Sequence, residues 1–394
     1  MSNLTVALVP LRGGSKSLPK KNIQPIGGRP LCAWTLEAAL QAPNIDHVCV
    51  STDCHEIASV VRNISDQIEI IDRPAEFATD SASTESVMLH FASVRKFDRL
   101  VTIQATSPLL KSNDLQQALD LFDENGVDSL LSGVIQKRFF WNLDGTPLNY
   151  DPTRRPRRQD WGGTLVENGA FYVTQRHILE KHRCRLGGKI GFFRMSEESY
   201  VELDEPSDWQ IVDRLLRKQN LDRLNHLLSG IRLLMVDVDG TLTDGGMYYD
   251  SEGESLKKFC TRDAVGMRLI VESGLKVAIV TRESSPIAAA RAKKLGFPCM
   301  TGVLDKRVAI QELADNYGIG LHQIAVIGDD INDIPAMEVA GFCACPKDSA
   351  IQVKAMCDLC LSAKGGNGAV RELCEAILAA QQPSPDSVPH GMMP

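Results

Sequence analysis

Residues 5–22 read TVALVPLRGGSKSLPKKN, and this stretch decides the fold of the first half of the chain. The apolar run from Val6 to Leu11 is too short and too interrupted, at Pro10, for a membrane span or a signal peptide, and it has no basic leader. It predicts a buried strand. The loop that follows pairs Gly13 with Gly14, which lets backbone N–H groups approach an anion, and surrounds them with Arg12, Lys16 and Lys21. Paired glycines and clustered cations at the carboxyl end of a first strand are what an open α/β sheet uses to hold phosphates. The chemistry implied is triphosphate binding. The spacing matches neither GxxxxGK[ST] nor GxGxxG, so on composition alone a plain basic surface loop fits equally well.

Outward from this strand, short apolar runs alternate with helix-like segments: PLCAWTLEAALQA, HVCVST, HEIASVVRNI, RLVTIQ, DLQQALDLFDENG and SLLSGV. That rhythm predicts βαβ units around a mainly parallel, Rossmann-like sheet. Pro206-Ser207-Asp208 opens a long charged helix carried to Leu228, where Ser229-Gly230 breaks it. A second alternating series then runs from IRLLMVDVDG to QIAVIGDD. The chain is therefore expected to be α/β in two domains, 1–228 and 229–382, with a flexible tail over 383–394.

Bulk composition agrees with a folded protein: 394 residues are 43% hydrophobic and 24% charged. The 43 lysines and arginines against 50 aspartates and glutamates leave a net charge of −7, the wrong sign for coating nucleic acid or anionic membrane. No nucleic acid and no membrane are expected as partners. Eleven cysteines, an odd number, with no export signal suggest free thiols in a reducing compartment, the cytoplasm or the nucleus. Cys343, Cys345, Cys357 and Cys360 crowd at a spacing that admits zinc, but they alternate with apolar residues and read mainly as buried core thiols. The run Arg154, Arg155, Arg157, Arg158 admits three readings: a nuclear import signal, arginines reaching a neighbouring subunit's ligand, or a solvated face. A nucleic-acid role is disfavoured because no aromatic stacking platform accompanies the run.

Four ordered motifs lift the phosphate-loop reading. They are RGGSKSLPKKNI, the stretch DRPAEFATDSAS from Asp72, QATSPL from Gln104, and RRQD with ENGAFY between Arg157 and Tyr172. Together they resemble the acylneuraminate cytidylyltransferases, the enzymes that make CMP-sialic acid, and the last pair looks more like the animal-type enzymes. The resemblance implies attack of the anomeric hydroxyl of a sialic acid on the α-phosphate of CTP, with pyrophosphate leaving. It implies that Arg12, Lys16 and Lys21 neutralise the triphosphate, that Gly13, Gly14, Ser15, Asn22, Arg73 and Ser83 lie around the nucleotide, and that Gln104, Tyr172, Phe192 and Phe193 form the sugar pocket. The family's metal motif, two acidic residues two apart on a strand, falls on Glu202 and Asp204. Glu202 departs from the usual aspartate there, but both side chains would face the same way and could hold Mg²⁺.

The second half opens with Leu233-Leu234-Met235-Val236 running into Asp237-Val238-Asp239-Gly240-Thr241-Leu242-Thr243-Asp244-Gly245. Two carboxylates at the end of a buried strand are costly unless charge is needed there. With Val280-Thr281-Arg282-Glu283-Ser284, Asp305-Lys306 and Gly328-Asp329-Asp330-Ile331-Asn332-Asp333, the pattern resembles the haloacid dehalogenase superfamily. The segments GGMYYDSEGESLKKF and GGNGAVRELCEAIL look like the capless branch containing 3-deoxy-manno-octulosonate-8-phosphate phosphatase. By resemblance Asp237 is the nucleophile and Asp239 the acid and base. Thr281 and Lys306 bind the phosphoryl group, and Asp237, Asp239, Asp329 and Asp333 make up the Mg²⁺ site. The resemblance further implies a homo-oligomer, a dimer through the first domain and a tetramer through the second. The second domain is thus expected to dephosphorylate a sialate 9-phosphate, or else to serve only as a tetramerisation module.

Overall fold

The computed structural model describes residues 3–14, 18–203, 206–251 and 253–382. It contains two compact units, one ending at Gln219 and the other beginning at Asn220.

In the first unit, β1 (Thr5–Pro10), β4 (His47–Thr52), β5 (Glu69–Asp72), β6 (Arg99–Ile103), β7 (Ser129–Gln136), β8 (Thr164–Gln175) and β9 (Ile190–Arg194) form one sheet in the order β5-β4-β1-β6-β8-β7-β9. A two-residue ribbon, β2 (Pro25–Ile26) with β3 (Arg29–Pro30), lies outside it. β1 is parallel to both neighbours, and β8 runs antiparallel to β6 and β7, so the sheet is mainly parallel. Alternation along β1 explains its continuous apolarity. Ala7, Val9 and Leu11 enter one core with Leu36 and Leu115, while Val6 and Leu8 enter the other with Met88 and Phe91. A strand covered on both faces has no solvent side to keep polar. The strand order reverses around β1, and the chain leaves its carboxyl end into the Arg12 loop, the position where such sheets bind ligands.

The second unit is built on a fully parallel sheet, β14-β13-β10-β15-β16-β17, from β10 (Leu233–Val236), β13 (Lys276–Val280), β14 (Cys299–Met300), β15 (Ile324–Ile327), β16 (Phe342–Cys345) and β17 (Leu359–Cys360). A hairpin of β11 (Tyr248–Asp250) and β12 (Gly253–Leu256) follows the first strand. Asp237, Thr281 and Gly328-Asp329 directly follow the adjacent strands β10, β13 and β15, so three motifs distant in sequence meet at one sheet edge.

The helix Pro206–Ser229 ends where Ser229-Gly230 predicts. The division between the units nonetheless falls inside it, because Val212 and Leu216 are buried with Ile26 and Leu109, whereas Leu224 and Leu228 are buried with Leu234 and Ile377. The tail expected over 383–394 lies outside the described residues. No helix among the described residues is long and apolar enough to cross a membrane.

Candidate active sites

The loop after β1 is tied down at several points. Leu11 donates its N–H to the Ser51 carbonyl (2.9 Å) and Gly13 its N–H to Asp53 Oδ1 (2.8 Å). A Cβ at Gly13 would lie 2.9 Å from Cys54 Cβ, so close approach to the neighbouring turn requires glycine there. Asn22 Nδ2 donates to the Arg12 carbonyl (3.0 Å). Arg12, Gly14, Lys21, Asn22, Arg73, Ser83 and Gln104 all line one cleft of about 340 Å³. Lys16 and Ser15 lie outside the described residues.

Three cations face this cleft at different depths. Arg12 is at its rim, with Nη1 3.1 Å from Asp80 Oδ1. Lys21 is buried and its ammonium donates to the Leu203 carbonyl. Arg73 is buried, donating from Nε to Ser51 Oγ (3.1 Å) and from Nη2 to the Ser51 carbonyl (2.5 Å). Burial lowers its pKa to about 10, with Asp53 opposing, so it stays cationic at neutral pH. Ser83 caps the helix Thr84–Val94 by accepting from the Ser86 N–H (3.2 Å). Fixed, partly desolvated positive charge of this kind suits a polyphosphate.

The acidic pair is only half described. Leu203 donates its N–H to the Thr106 carbonyl (3.2 Å), which places this segment beside the cleft. Gly169, at φ +63°, would bring a Cβ within 3.0 Å of Glu202 Oε1, so the turn in ENGAFY leaves room for that carboxylate. Asp204 lies outside the described residues.

The expected sugar pocket does not assemble as read. Gln104 lines the cleft, but Phe193 is 8% exposed and packs on Phe171 in the core, while Phe192 is 51% exposed. Adjacent residues of β9 must face opposite ways, so both cannot line one pocket. Tyr172 is buried outside the cleft lining. Its hydroxyl donates to Glu167, and the Arg185 guanidinium sits 4.7 Å over its ring, itself paired with Glu85 at 2.5 Å. Burial, then Glu167, push its pKa up, so it stays a neutral donor. Arg154, Arg155, Arg157 and Arg158 are exposed. Arg155 stacks 4.6 Å over Phe139, which in turn meets Tyr150 and Trp161, so the run is accompanied by aromatic rings after all. Spread over 22 residues of sequence, Phe139, Tyr150 and Trp161 make no local aromatic pattern beside the arginines.

The second site is more enclosed. Asp237 is 5% exposed, and its Oδ1 lies 2.5 Å from Lys306 Nζ. Lys306, 1% exposed at the start of the helix Lys306–Tyr317, also donates to Asp333. Asp333 Oδ2 accepts the N–H groups of Asp329 (3.0 Å) and Asp330 (3.2 Å), which fixes the loop after β15. Oxygens of Asp237, Asp329 and Asp333 lie within 4.8 Å of one another. Gly240, at φ +80°, would place a Cβ 2.0 Å from Asp329 Oδ2, so glycine is what allows the turn after β10 to approach that carboxylate.

Electrostatics shows what this pocket lacks. Burial and then Asp333 raise Asp237 well above the usual carboxylate range, and burial followed by Asp333 and Asp330 raises Asp329 to about 7. Burial disfavours the Lys306 charge, but Asp237 and Asp333 outweigh it and its pKa rises. One ammonium thus faces three clustered carboxylates, and an all-oxygen donor set with excess negative charge fits a hard divalent cation.

Asp239 is not part of that group, contrary to the expectation that it would be a ligand. Its Oδ1 lies 2.5 Å from Nζ of Lys257, whose side chain is fully buried and also meets Glu254 at 3.0 Å. Glu254 in turn accepts from Ser285 Oγ (2.6 Å). Asp239 Oδ2 is buried with no hydrogen-bond partner among the described residues. One oxygen is therefore anchored and the other is open to a proton, the geometry a general acid and base needs. Thr281 is buried at the end of β13, its Oγ1 accepting from the Glu283 N–H (3.2 Å). Lys257 and Glu254 escape a sequence reading, although both stand in the GGMYYDSEGESLKKF segment that marks the subgroup.

Comparison with known proteins places both halves. Residues 6–233 match the cytidylyltransferase family model. Over 385 residues the chain is 33% identical to N-acylneuraminate cytidylyltransferase A of Danio rerio, covering 94% of this chain and 88% of that protein. The chain belongs to the N-acylneuraminate cytidylyltransferase family. The enzyme of Oncorhynchus mykiss is 34% identical over the same span and shares. Residues 297–373 match the haloacid dehalogenase-like hydrolase model. A stretch of 155 residues, 39% of the chain, is 39% identical to 3-deoxy-D-manno-octulosonate 8-phosphate phosphatase of Haemophilus influenzae and covers 86% of that enzyme. The two halves thus carry a cytidylyltransferase and a haloacid dehalogenase-like unit.

Proposed function

We propose that this protein transfers CMP from CTP to a sialic acid and, in its second unit, removes phosphate from a sialate 9-phosphate, the step that would precede activation. The observation behind the first activity is the convergence of Arg12, Lys21, Asn22, Arg73, Ser83 and Gln104 on one cleft at the end of β1. In this reading Arg12, Lys21 and Arg73 hold the triphosphate and oppose the charge that grows on the leaving pyrophosphate. Asn22 and Ser83 fix the loops around the nucleoside.

For the second activity the supporting observation is Asp237, held by Lys306 within reach of Asp329 and Asp333. Asp237 attacks phosphorus to give an aspartyl-phosphate, while Lys306 and Thr281 hold the phosphoryl oxygens. Asp239 gives a proton to the leaving alkoxide from its open oxygen and then takes one from the attacking water. Mg²⁺ bound by Asp237, Asp329 and Asp333 would neutralise phosphoryl charge, and Glu202 with Asp204 would hold Mg²⁺ against the triphosphate. Because oligomerisation needs no nucleophile beside an acid–base carboxylate, these groups favour an enzyme over a tetramerisation module. The two roles are compatible, and a tetramer through the second unit with dimers through the first is part of the proposal.

Paired assays on the purified chain test this: CTP-dependent pyrophosphate release with N-acetylneuraminate and its deaminated analogue, and phosphate release from each 9-phosphate. CTP is expected to be used at least an order of magnitude faster than ATP or GTP, since a pocket that hydrogen-bonds one base leaves its polar groups unpaired with another. Comparable rates with a purine triphosphate would indicate another nucleotidyltransferase. Use of CTP without any sialic acid acceptor would point to 3-deoxy-manno-octulosonate.

Metal binding has a readout independent of turnover. Asp329 has a folded pKa raised to about 7, above its unfolded value near 4. Such a carboxyl contributes its stability below the unfolded pKa and loses it as pH rises through the folded one. In chelator-treated protein, melting temperature should therefore fall between about pH 4.5 and pH 8, and Asp329→Asn should flatten that fall. Millimolar Mg²⁺ should restore the wild type most at the alkaline end, by mass action on the folded state. Calorimetry showing the same shift with Mg²⁺ in wild type and Asp329→Asn would remove Asp329 from the site.

A further inference from the structure

Neither active site uses the four cysteines on β16, on β17 and in the turn before β17. β16 carries Cys343 and Cys345 on the same core face, with Val326 and Val353. Cys345 is the register partner of Cys360 on β17, and Cys357 caps the end of the helix Ile351–Met356. Cys343 Sγ lies 3.7 Å from both the Met356 carbonyl and Asp358 Oδ2, and Cys360 Sγ lies 4.0 Å from the Leu361 carbonyl. Cys343 is fixed elsewhere, its N–H donated to Asp358 Oδ2 (3.1 Å), whose other oxygen pairs with Arg223 (2.6 Å). Among the described residues the only ligand group gathered within 4.8 Å is the carboxylate trio, so the zinc reading loses its geometry.

We propose that Cys345 and Cys360 form a reversible disulfide site that takes hydroperoxides as its oxidant. Register partners on neighbouring strands have Cα atoms about 4.8 Å apart, inside the range a disulfide spans. Exposure differs sharply between the two: Cys345 is fully buried and Cys360 is exposed. Cys360 is therefore where a peroxide arrives. Its sulfur attacks the O–O bond, becoming a sulfenic acid, while the thiol proton leaves with the alkoxide as an alcohol, or as water from hydrogen peroxide. Cys345 sulfur then attacks Cys360 sulfur, forming S–S and expelling hydroxide, which leaves as water with the Cys345 proton. Two thiols are oxidised and one peroxide is reduced. Neighbouring Cys357, followed by Cys360, Ser349 and Lys354, outweighs burial and draws the Cys345 thiol below its ordinary value, which favours its ionisation as it attacks. Thiolate character is what a resolving thiol needs. Burial and the adjacent Cys345 hold Cys360 up, so the first step is slow and should accelerate as pH rises above neutrality.

The test treats the full reduced chain with hydrogen peroxide, alkylates residual thiols and maps the peptides. One disulfide joining Cys345 to Cys360, removed by a dithiol reductant, is the expected product. Cys345→Ser should leave Cys360 as a sulfenic acid captured by dimedone, an adduct that wild type does not give. Both cysteines still alkylated when the partly exposed Cys184 is already oxidised would overturn the proposal. So would a disulfide between any other pair, or Cys345 found in a disulfide in Cys360→Ser. Wild-type mapping decides the matter even where a variant folds poorly.

Discussion

Asp237→Asn should abolish Mg²⁺-dependent phosphate release from a sialate 9-phosphate, lowering kcat by on the order of 10⁴-fold or more, as loss of a covalent nucleophile does. The substitution replaces one carboxylate oxygen by an amide nitrogen at almost constant shape. Lys306 retains its bond to Asp333, so the buried ammonium is not left without a carboxylate. Burial already disfavours the Asp237 charge, so the variant should fold at least as well as wild type without metal. CMP transfer should continue within about twofold, because the residues placed in the nucleotide cleft all belong to the first unit. The same variant separates the two readings of the second unit. A scaffold predicts no phosphate release in wild type against any nonulosonate phosphate, and removal of residues after Ser229 should then reduce a tetramer to at most a dimer. An enzyme predicts release that Asp237→Asn eliminates while oligomeric state and melting stay unchanged.

The contrast between the two sites shows what sequence can specify. The roles expected of Asp237, Thr281, Lys306 and Asp329 come from the resemblance to the haloacid dehalogenase superfamily, and the structure gathers them because three directly follow strands of one parallel sheet and Lys306 opens a helix. For Asp239 the resemblance supplies a proposed acid–base role but not its environment. Its anchoring oxygen is held by Lys257, 18 residues downstream and brought back by the β11–β12 hairpin, and nothing in the spacing fixes how that hairpin folds. Phe193 shows the opposite failure. Period-two alternation sets neighbours of one strand on opposite faces, so the expectation that Phe192 and Phe193 share one pocket conflicts with a pattern the sequence itself carries. Tyr172 and the aromatic rings around Arg155 depend on long-range pairing of β8 and on the chain between β7 and β8, which local pattern does not encode. The unit division within Pro206–Ser229 is similar in kind: the helix stop is a local signal, but which core each turn enters is a tertiary outcome.

For the nucleotide cleft, Arg12→Ala should lower kcat/KM for CMP transfer by on the order of 10²-fold or more, since it removes a donor whose value grows as pyrophosphate charge develops. Arg12 lies at the rim, paired with exposed Asp80, and surface pairs of this kind add little to stability. Its loss should therefore leave the melting temperature nearly unchanged and appear in turnover. Lys21→Ala should cost at least as much activity but for two reasons, because buried Lys21 also binds the Leu203 carbonyl between Glu202 and Asp204. Removing it should loosen that segment, so Lys21→Ala should also raise the Mg²⁺ concentration needed for half-maximal transfer, whereas Arg12→Ala should not. Phosphatase turnover should be spared in both variants. Steady-state kinetics with CTP and Mg²⁺ varied independently distinguish the cases. Activity of Arg12→Ala within about threefold of wild type would show that this arginine does not face the triphosphate, leaving Lys21 and Arg73 to hold it.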